Sequence, residues 1–164
     1  MQLVIQGVLI GVIATVGMDI WAAVVKYVFR LPTADWSRVG RWLGHMPRRV
    51  FVNRPIVNSA AIPNELAIGW IAHYVTGIVY GLAYMYVVAV LLSSDPTLTS
   101  ALVFGLVTLA NHSFVMQPGM EAGVRPNQTV RPGVKRIINL SMHVVFGFAL
   151  YLGWLWSRQY VLNL

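Results

Sequence analysis

The chain has 164 residues, of which 57% are hydrophobic and 10% are charged, whereas soluble domains carry about 25% charged residues; this composition predicts a single integral membrane domain. There is no cysteine, which excludes disulfides, iron–sulfur clusters, thiolate metal sites and thiol catalysis. The formal net charge of +7 is distributed between apolar runs, which indicates membrane topology rather than nucleic-acid binding.

Four apolar runs follow one another along the chain, at residues 3–29, 66–92, 101–117 and 137–157. A helix needs about 20 apolar residues to cross a hydrocarbon core of ~30 Å, so the first two runs are comfortably long and the third is short. The fourth run ends in Trp154, Trp156 and Tyr160, which suit the aromatic belt of a membrane interface. We therefore predict an all-α integral membrane fold, a bundle of four transmembrane helices.

The connections between the runs differ in charge. Loops 30–65 and 118–136 hold ten of the 12 Lys and Arg residues, and connection 93–100 holds none. Because positive charge is enriched in cytoplasmic loops, we predict that both basic loops are cytoplasmic and that both termini lie on the outer, periplasmic side. Loop 118–136 is rich in Pro and Gly, which indicates either a rigid turn or a re-entrant lid.

Residues 35–46 of the first loop show helical spacing. One side of this helix would carry Trp36, Val39, Leu43 and Met46, and the other side Arg38, Arg41, His45 and Arg48. Such a segment is typical of an interfacial amphipathic helix on the inner leaflet. We predict that its arginines contact the phosphates of anionic lipids, namely Arg38, Arg41, Arg48 and Arg49. The alternative is a basic loop that only sets the orientation of the chain.

Asp19 is the only acidic residue in the first apolar run. A carboxylate inside a span costs roughly 2.5–3.5 kcal/mol, so it should face protein or water and have a partner. The other three runs each contain one histidine, at His73, His112 and His143. At 1.5 Å per residue, all four groups lie roughly 7–12 Å in from the cytoplasmic end of their helix. We call these four residues the polar layer.

Three imidazoles and a carboxylate are competent ligands for Zn, Fe, Mn or Cu. Supporting hydrogen-bond partners or further ligands would come from Thr15, Asn111, Asn139, Ser141 and Met116. Glu65 and His45, in or beside the basic loop, are possible accessory groups. A haem held by two of the three histidines is a second reading, and a proton or cation path through an oligomeric transporter or channel is a third.

The alternative to all of these is a hydrogen-bonded core that only fixes the packing of the helices, with His73–Asp19 and His143–Asn111 pairs. The protein would then be a non-catalytic accessory subunit or an oligomeric scaffold of a membrane complex. The sequence identifies no catalytic residue and leaves enzymatic activity, cofactor and oligomeric state open.

Several short motifs resemble a family of small bacterial inner-membrane proteins, the DUF2938 family. They are Gly11-x-x-Ala14-Thr15-x-x-Met18-Asp19-x-Trp21, Trp70-x-x-His73-Tyr74, Gln117-Pro118 and Leu140-Ser141-x-His143-x-x-Phe146-Gly147. The resemblance implies a multi-pass protein of the bacterial inner membrane. It implies no activity, because the family is catalogued as a domain of unknown function.

Overall fold

The computed structural model describes residues 1–52, 55–120 and 132–160. In these ranges the chain is all-helical and has no strand. Its helices of ten residues or more are α1 Gln2–Tyr27, α2 Trp36–His45, α3 Glu65–Leu91, α4 Leu98–Gly119 and α5 Pro132–Tyr160, and two short 3₁₀ helices, Met46–Arg48 and Ile56–Asn58, lie between α2 and α3. By length and composition, α1, α3, α4 and α5 are each able to cross a membrane.

Helix α4 is longer than the apolar run that predicted it. It begins at Leu98 because Thr97 and Ser100 form a reciprocal capping box. At its other end a π-helical turn, His112–Met116, leads into a last turn that contains Pro118. A π turn widens the helix and is frequent at functional sites. With 22 residues, α4 is about 33 Å long at 1.5 Å per residue, which is long enough for a hydrocarbon core of ~30 Å.

The helices pack where their glycines meet. Helix α1 packs most extensively against α3 and α5, and α4 packs against α5, whereas α3 and α4 touch only slightly. A Cβ added to Gly81 of α3 would strike the carbonyl of Gly7 and the backbone of Gly11 in α1. Close backbone approach at small residues is the usual basis of helix packing in lipid. The core lies between α1, α3, α4 and α5, around Ile10, Tyr84, Ala101, Phe146 and Leu150.

Helix α2 packs on the first turns of α3. The Asp35 carboxylate caps its start by accepting a hydrogen bond from the Ser37 amide. Although partial burial raises the pKa of Asp35, hydrogen bonds from Ser37 and the charge of Arg38 outweigh it and lower that pKa below its ordinary value. A Cβ on Gly40 would strike the Glu65 carbonyl, so the two backbones touch at the α2–α3 crossing.

The side chains of α2 are distributed differently from the prediction. His45, placed on the charged face, is buried, and its Nε2 lies 2.9 Å from the Ala60 carbonyl oxygen. That prediction is wrong because the chain after α2 folds back over the helix and covers His45. Arg41 donates two hydrogen bonds, of 2.9 and 2.8 Å, to the Glu65 carboxylate, which raise the pKa of the guanidinium. Arg38, Arg48 and Arg49 are exposed, and their contact with lipid phosphates stays a prediction.

Most of the second basic loop lies outside the described residues. The lid or rigid turn predicted for 118–136 falls largely on residues 121–131, which are not described. The described residues before it pack against the first loop: Gly119 faces the Trp42 ring, and the Ile56 amide donates to the Met120 carbonyl at 3.4 Å. The C-terminal end of α4 is therefore held against the segment that contains α2.

Candidate ligand-binding layer

The polar layer lies at one level of the bundle. Gly17 of α1 packs against Ala149 of α5. Two residues beyond Asp19, the indole Nε1 of Trp21 donates a 2.9 Å hydrogen bond to the Ser141 hydroxyl. Asp19 lies between these two contacts and is therefore opposite the turns of α5 that contain His143.

Asp19 is bound by two consecutive residues of α3. His73 Nε2 lies 3.0 Å from Asp19 Oδ1, and the Tyr74 hydroxyl donates a 2.8 Å hydrogen bond to Asp19 Oδ2. The side chain of His73 is 10% exposed and that of Asp19 is 23% exposed. Both carboxylate oxygens are thus occupied by protein donors. This half of the layer satisfies itself and joins α1 to α3.

Aromatic rings cover His73. The Trp36 indole stacks on its imidazole, with ring centroids 4.0 Å apart and planes 28° apart. Trp70 meets the same imidazole edge-on at 5.8 Å. Trp36 belongs to α2, so the short helix of the first loop contributes directly to the surroundings of His73.

His112 and His143 form the other half of the layer, and α4 and α5 brace them reciprocally. His143 of α5 is held through Nδ1 by the Thr108 hydroxyl of α4, at 2.9 Å. His112 of α4 is held through Nε2 by the Asn139 amide of α5, at 3.0 Å. The two ring centroids are 6.1 Å apart. The predicted His143–Asn111 pair is wrong, because Thr108 lies one turn nearer to His143.

The hydrogen bonds assign a proton to each ring. The Thr108 hydroxyl donates to the Gly105 carbonyl at 2.6 Å, so it accepts from His143 Nδ1 and leaves a lone pair on Nε2. The Asn139 amide nitrogen donates to His112 Nε2, so His112 carries its proton on Nδ1. In neutral form, the pair therefore offers one N–H donor and one nitrogen acceptor through the two ring nitrogens that have no partner among the described residues.

The other sequence-predicted residues have varied surroundings. Thr15 donates to the Gly11 carbonyl of its own helix at 2.8 Å and is buried against Gly77 of α3. Ser141 accepts from Trp21, Asn139 contacts His112, and the Asn111 side chain hydrogen-bonds the Tyr80 hydroxyl. Met116 is partly buried at the end of the π turn. Glu65 and His45 belong to the contacts around α2 and lie apart from the His112–His143 pair.

Four residues with direct contacts to the layer were not among the candidates: Tyr74, Thr108, Trp36 and Trp70. The sequence could have predicted Tyr74, because a carboxylate in a span can accept several hydrogen bonds and Tyr74 directly follows His73. Thr108 is one turn before His112 and faces α5 with it. For Trp36 the sequence held no signal, since its contact with His73 depends on where α2 docks.

Among the described residues, no group of three or more His, Asp or Glu side chains is arranged to hold a metal ion. The polar layer consists of two separate pairs. Asp19 and His73 pair between α1 and α3, and His112 and His143 pair between α4 and α5.

Comparison with known proteins identifies one family. The model of the family described as "Protein of unknown function (DUF2938)" matches residues 8–156. No match was found among curated proteins, and none among solved structures.

Proposed function

The chain belongs to the DUF2938 family, and we propose that it is a multi-pass membrane protein that binds a small ligand between α4 and α5. His112 and His143 contact this ligand. The observation that carries the proposal is the reciprocal bracing of these two rings by Asn139 and Thr108. A histidine held through one nitrogen presents the other in a fixed direction, as in many binding and metal sites.

A ligand explains this half of the layer better than a self-satisfied core does. His143 is 9% exposed, and its ring hydrogen-bonds Thr108 through Nδ1 and also the Gly105 backbone. Both bonds use the ring N–H in the tautomer assigned above, which leaves the lone pair of Nε2 for a ligand. Asp19 provides the contrast, since both of its oxygens have protein donors.

The geometry favours a small hydrogen-bonding molecule among the ligands that the sequence allowed. One donor and one acceptor suit a group that accepts and donates together, such as a hydroxyl. A tetrahedral metal site needs about four ligands, and the described residues bring only two imidazoles together here. A haem needs a slot between its axial ligands, whereas the α4 and α5 backbones touch at Gly105 and Gly147, about one turn from His143.

Native mass spectrometry of the purified protein in mild detergent, with elemental analysis, tests the proposal. We expect a bound organic mass that is lost in His112→Gln and in His143→Gln. The matched control is His45→Gln, which changes a buried histidine that contacts the Ala60 carbonyl and should keep the bound mass. If the wild-type protein instead holds stoichiometric metal that both layer variants lose, the ligand is a metal ion. A wild-type protein with neither would refute ligand binding.

A second candidate function rests on the Asp19 half of the layer. Because Asp19, His73 and Tyr74 satisfy one another, this half supports a non-catalytic accessory subunit or scaffold. A defined complex in mild detergent that survives both His112→Gln and His143→Gln would favour this function. A monomeric, ligand-loaded protein would oppose it.

A further inference from the structure

A cleft with a volume of about 190 Å³ lies at the end of the bundle remote from α2. The first turns of α1, the last turns of α3 and α5 and the α3–α4 connection enclose it. Met85 and Trp154, which are 3% and 7% exposed, form apolar walls. Neither half of the polar layer contributes to it, so this cleft is a separate site.

Gln6 lines the cleft and has no hydrogen-bond partner among the described residues. It is 7% exposed and lies in an apolar helix. A primary amide has two N–H donors and a carbonyl acceptor, and neither Gln6 amide atom is among the fully buried atoms without a partner, so the amide is accessible from the cleft. A molecule in the cleft is therefore the available hydrogen-bond partner of the Gln6 amide.

Two opposite charges stand at the mouth of the cleft. Arg158 Nη1 lies 3.9 Å from Asp95 Oδ2, and the two side chains are 61% and 77% exposed. This distance is too long for a hydrogen bond, so the pair is loose. The Arg158 guanidinium also lies over the Trp154 ring, 5.4 Å from its centroid. A ligand with one positive and one negative group can separate this pair and compensate both charges.

We propose that the cleft binds the headgroup of a zwitterionic phospholipid. Its phosphate meets Arg158, its ammonium meets Asp95, and the Gln6 amide binds an uncharged polar group such as an ester. The position at the helix ends fits a lipid, since this is the level of headgroups for a helix that spans a bilayer. Val4 and Leu92, each within two residues of a lining residue, are 55% and 61% exposed and suit acyl chains.

Binding to delipidated protein in detergent tests this proposal, with thermal stabilisation and native mass spectrometry as readouts. The probes are phosphatidylethanolamine, the anionic phosphatidylglycerol and water-soluble glycerophosphoethanolamine. We expect phosphatidylethanolamine to bind at least several-fold more tightly than phosphatidylglycerol. If glycerophosphoethanolamine binds as tightly as phosphatidylethanolamine, the cleft recognises a zwitterion but its ligand is a soluble molecule and not a lipid.

Gln6→Leu is the sharpest variant, because the Gln6 amide lines the cleft and makes no hydrogen bond to the described residues whose loss would destabilise the fold. It should weaken phosphatidylethanolamine binding at least several-fold, as should Arg158→Gln. The control is Gln2→Leu, which changes an exposed glutamine of the same helix that does not line the cleft. Equal affinity for the two lipids, or unchanged binding by Gln6→Leu, would overturn the proposal.

Discussion

The Trp36 indole lies flat on the His73 imidazole, with centroids 4.0 Å apart. His73 in turn binds Asp19, so α2, α3 and α1 are connected through three consecutive side chains. The Trp36 ring covers one face of the imidazole, while Nε2 at the ring edge contacts the Asp19 carboxylate. The position of α2 therefore controls both the surroundings and the accessibility of the Asp19–His73 pair.

Removing the Trp36 ring should expose His73. We expect Trp36→Ala to increase the rate at which diethyl pyrocarbonate modifies His73 several-fold, measured by peptide mass spectrometry. Trp36→Phe keeps an aromatic face and should stay near the wild-type rate. His45 in the same sample is the internal reference, and a uniform rise at both histidines would mean general unfolding instead.

Asp19→Asn should destabilise the bundle. The amide keeps one oxygen acceptor but loses the charge, and hydrogen bonds to charged groups contribute about 1.5–3 kcal/mol. We expect a loss of that size in the free energy of unfolding, measured in mixed micelles. Asp95→Asn is the matched control, because its exposed contact with Arg158 spans 3.9 Å and should contribute no more than about 1 kcal/mol. Equal losses would show that Asp19 has no special role in stability.

Gly81→Ala should separate α1 from α3. The added methyl would fall on the Gly7 carbonyl and the Gly11 backbone, which cannot move as a flexible side chain can. Overpacking of this kind costs about 1–3 kcal/mol, visible as a lower unfolding midpoint. Gly133→Ala provides the control, since no atom of the described residues lies within 4 Å of its added Cβ. A tolerated Gly81→Ala would contradict the close crossing.

The start of α2 should be sensitive to acid. The folded pKa of Asp35 is lowered, so its stabilising effect is present above the unfolded value of about 3.9 and is lost as pH falls through the lower folded pKa. We expect the hydrogen-exchange protection of the first α2 amides to hold from pH 7 to 5 and to decline below about pH 4. Asp35→Asn keeps a capping oxygen without a titrating group, and its protection should not change with pH.

The number and approximate positions of the long apolar helices were predicted from the sequence. Long apolar runs with few charges predict spanning helices because the backbone in lipid must satisfy its own hydrogen bonds. The cost of a carboxylate in a span predicted a partner for Asp19, and the contact with His73 is confirmed. The α2 segment was predicted from its spacing and its capping residue, although its docking on α3 was not.

The division of the polar layer was decided by the tertiary structure. Helices that are apolar on nearly every side, as α1 is, carry little information about which face meets which neighbour. Helix order and rotation, set by the glycine contacts between α1 and α3 and between α4 and α5, assign Tyr74 to Asp19 and Thr108 to His143. The sequence by itself determined that four polar groups lie at similar depth in four helices. Only packing determined that they form two pairs, one closed by its own hydrogen bonds and one with ring nitrogens open to a ligand.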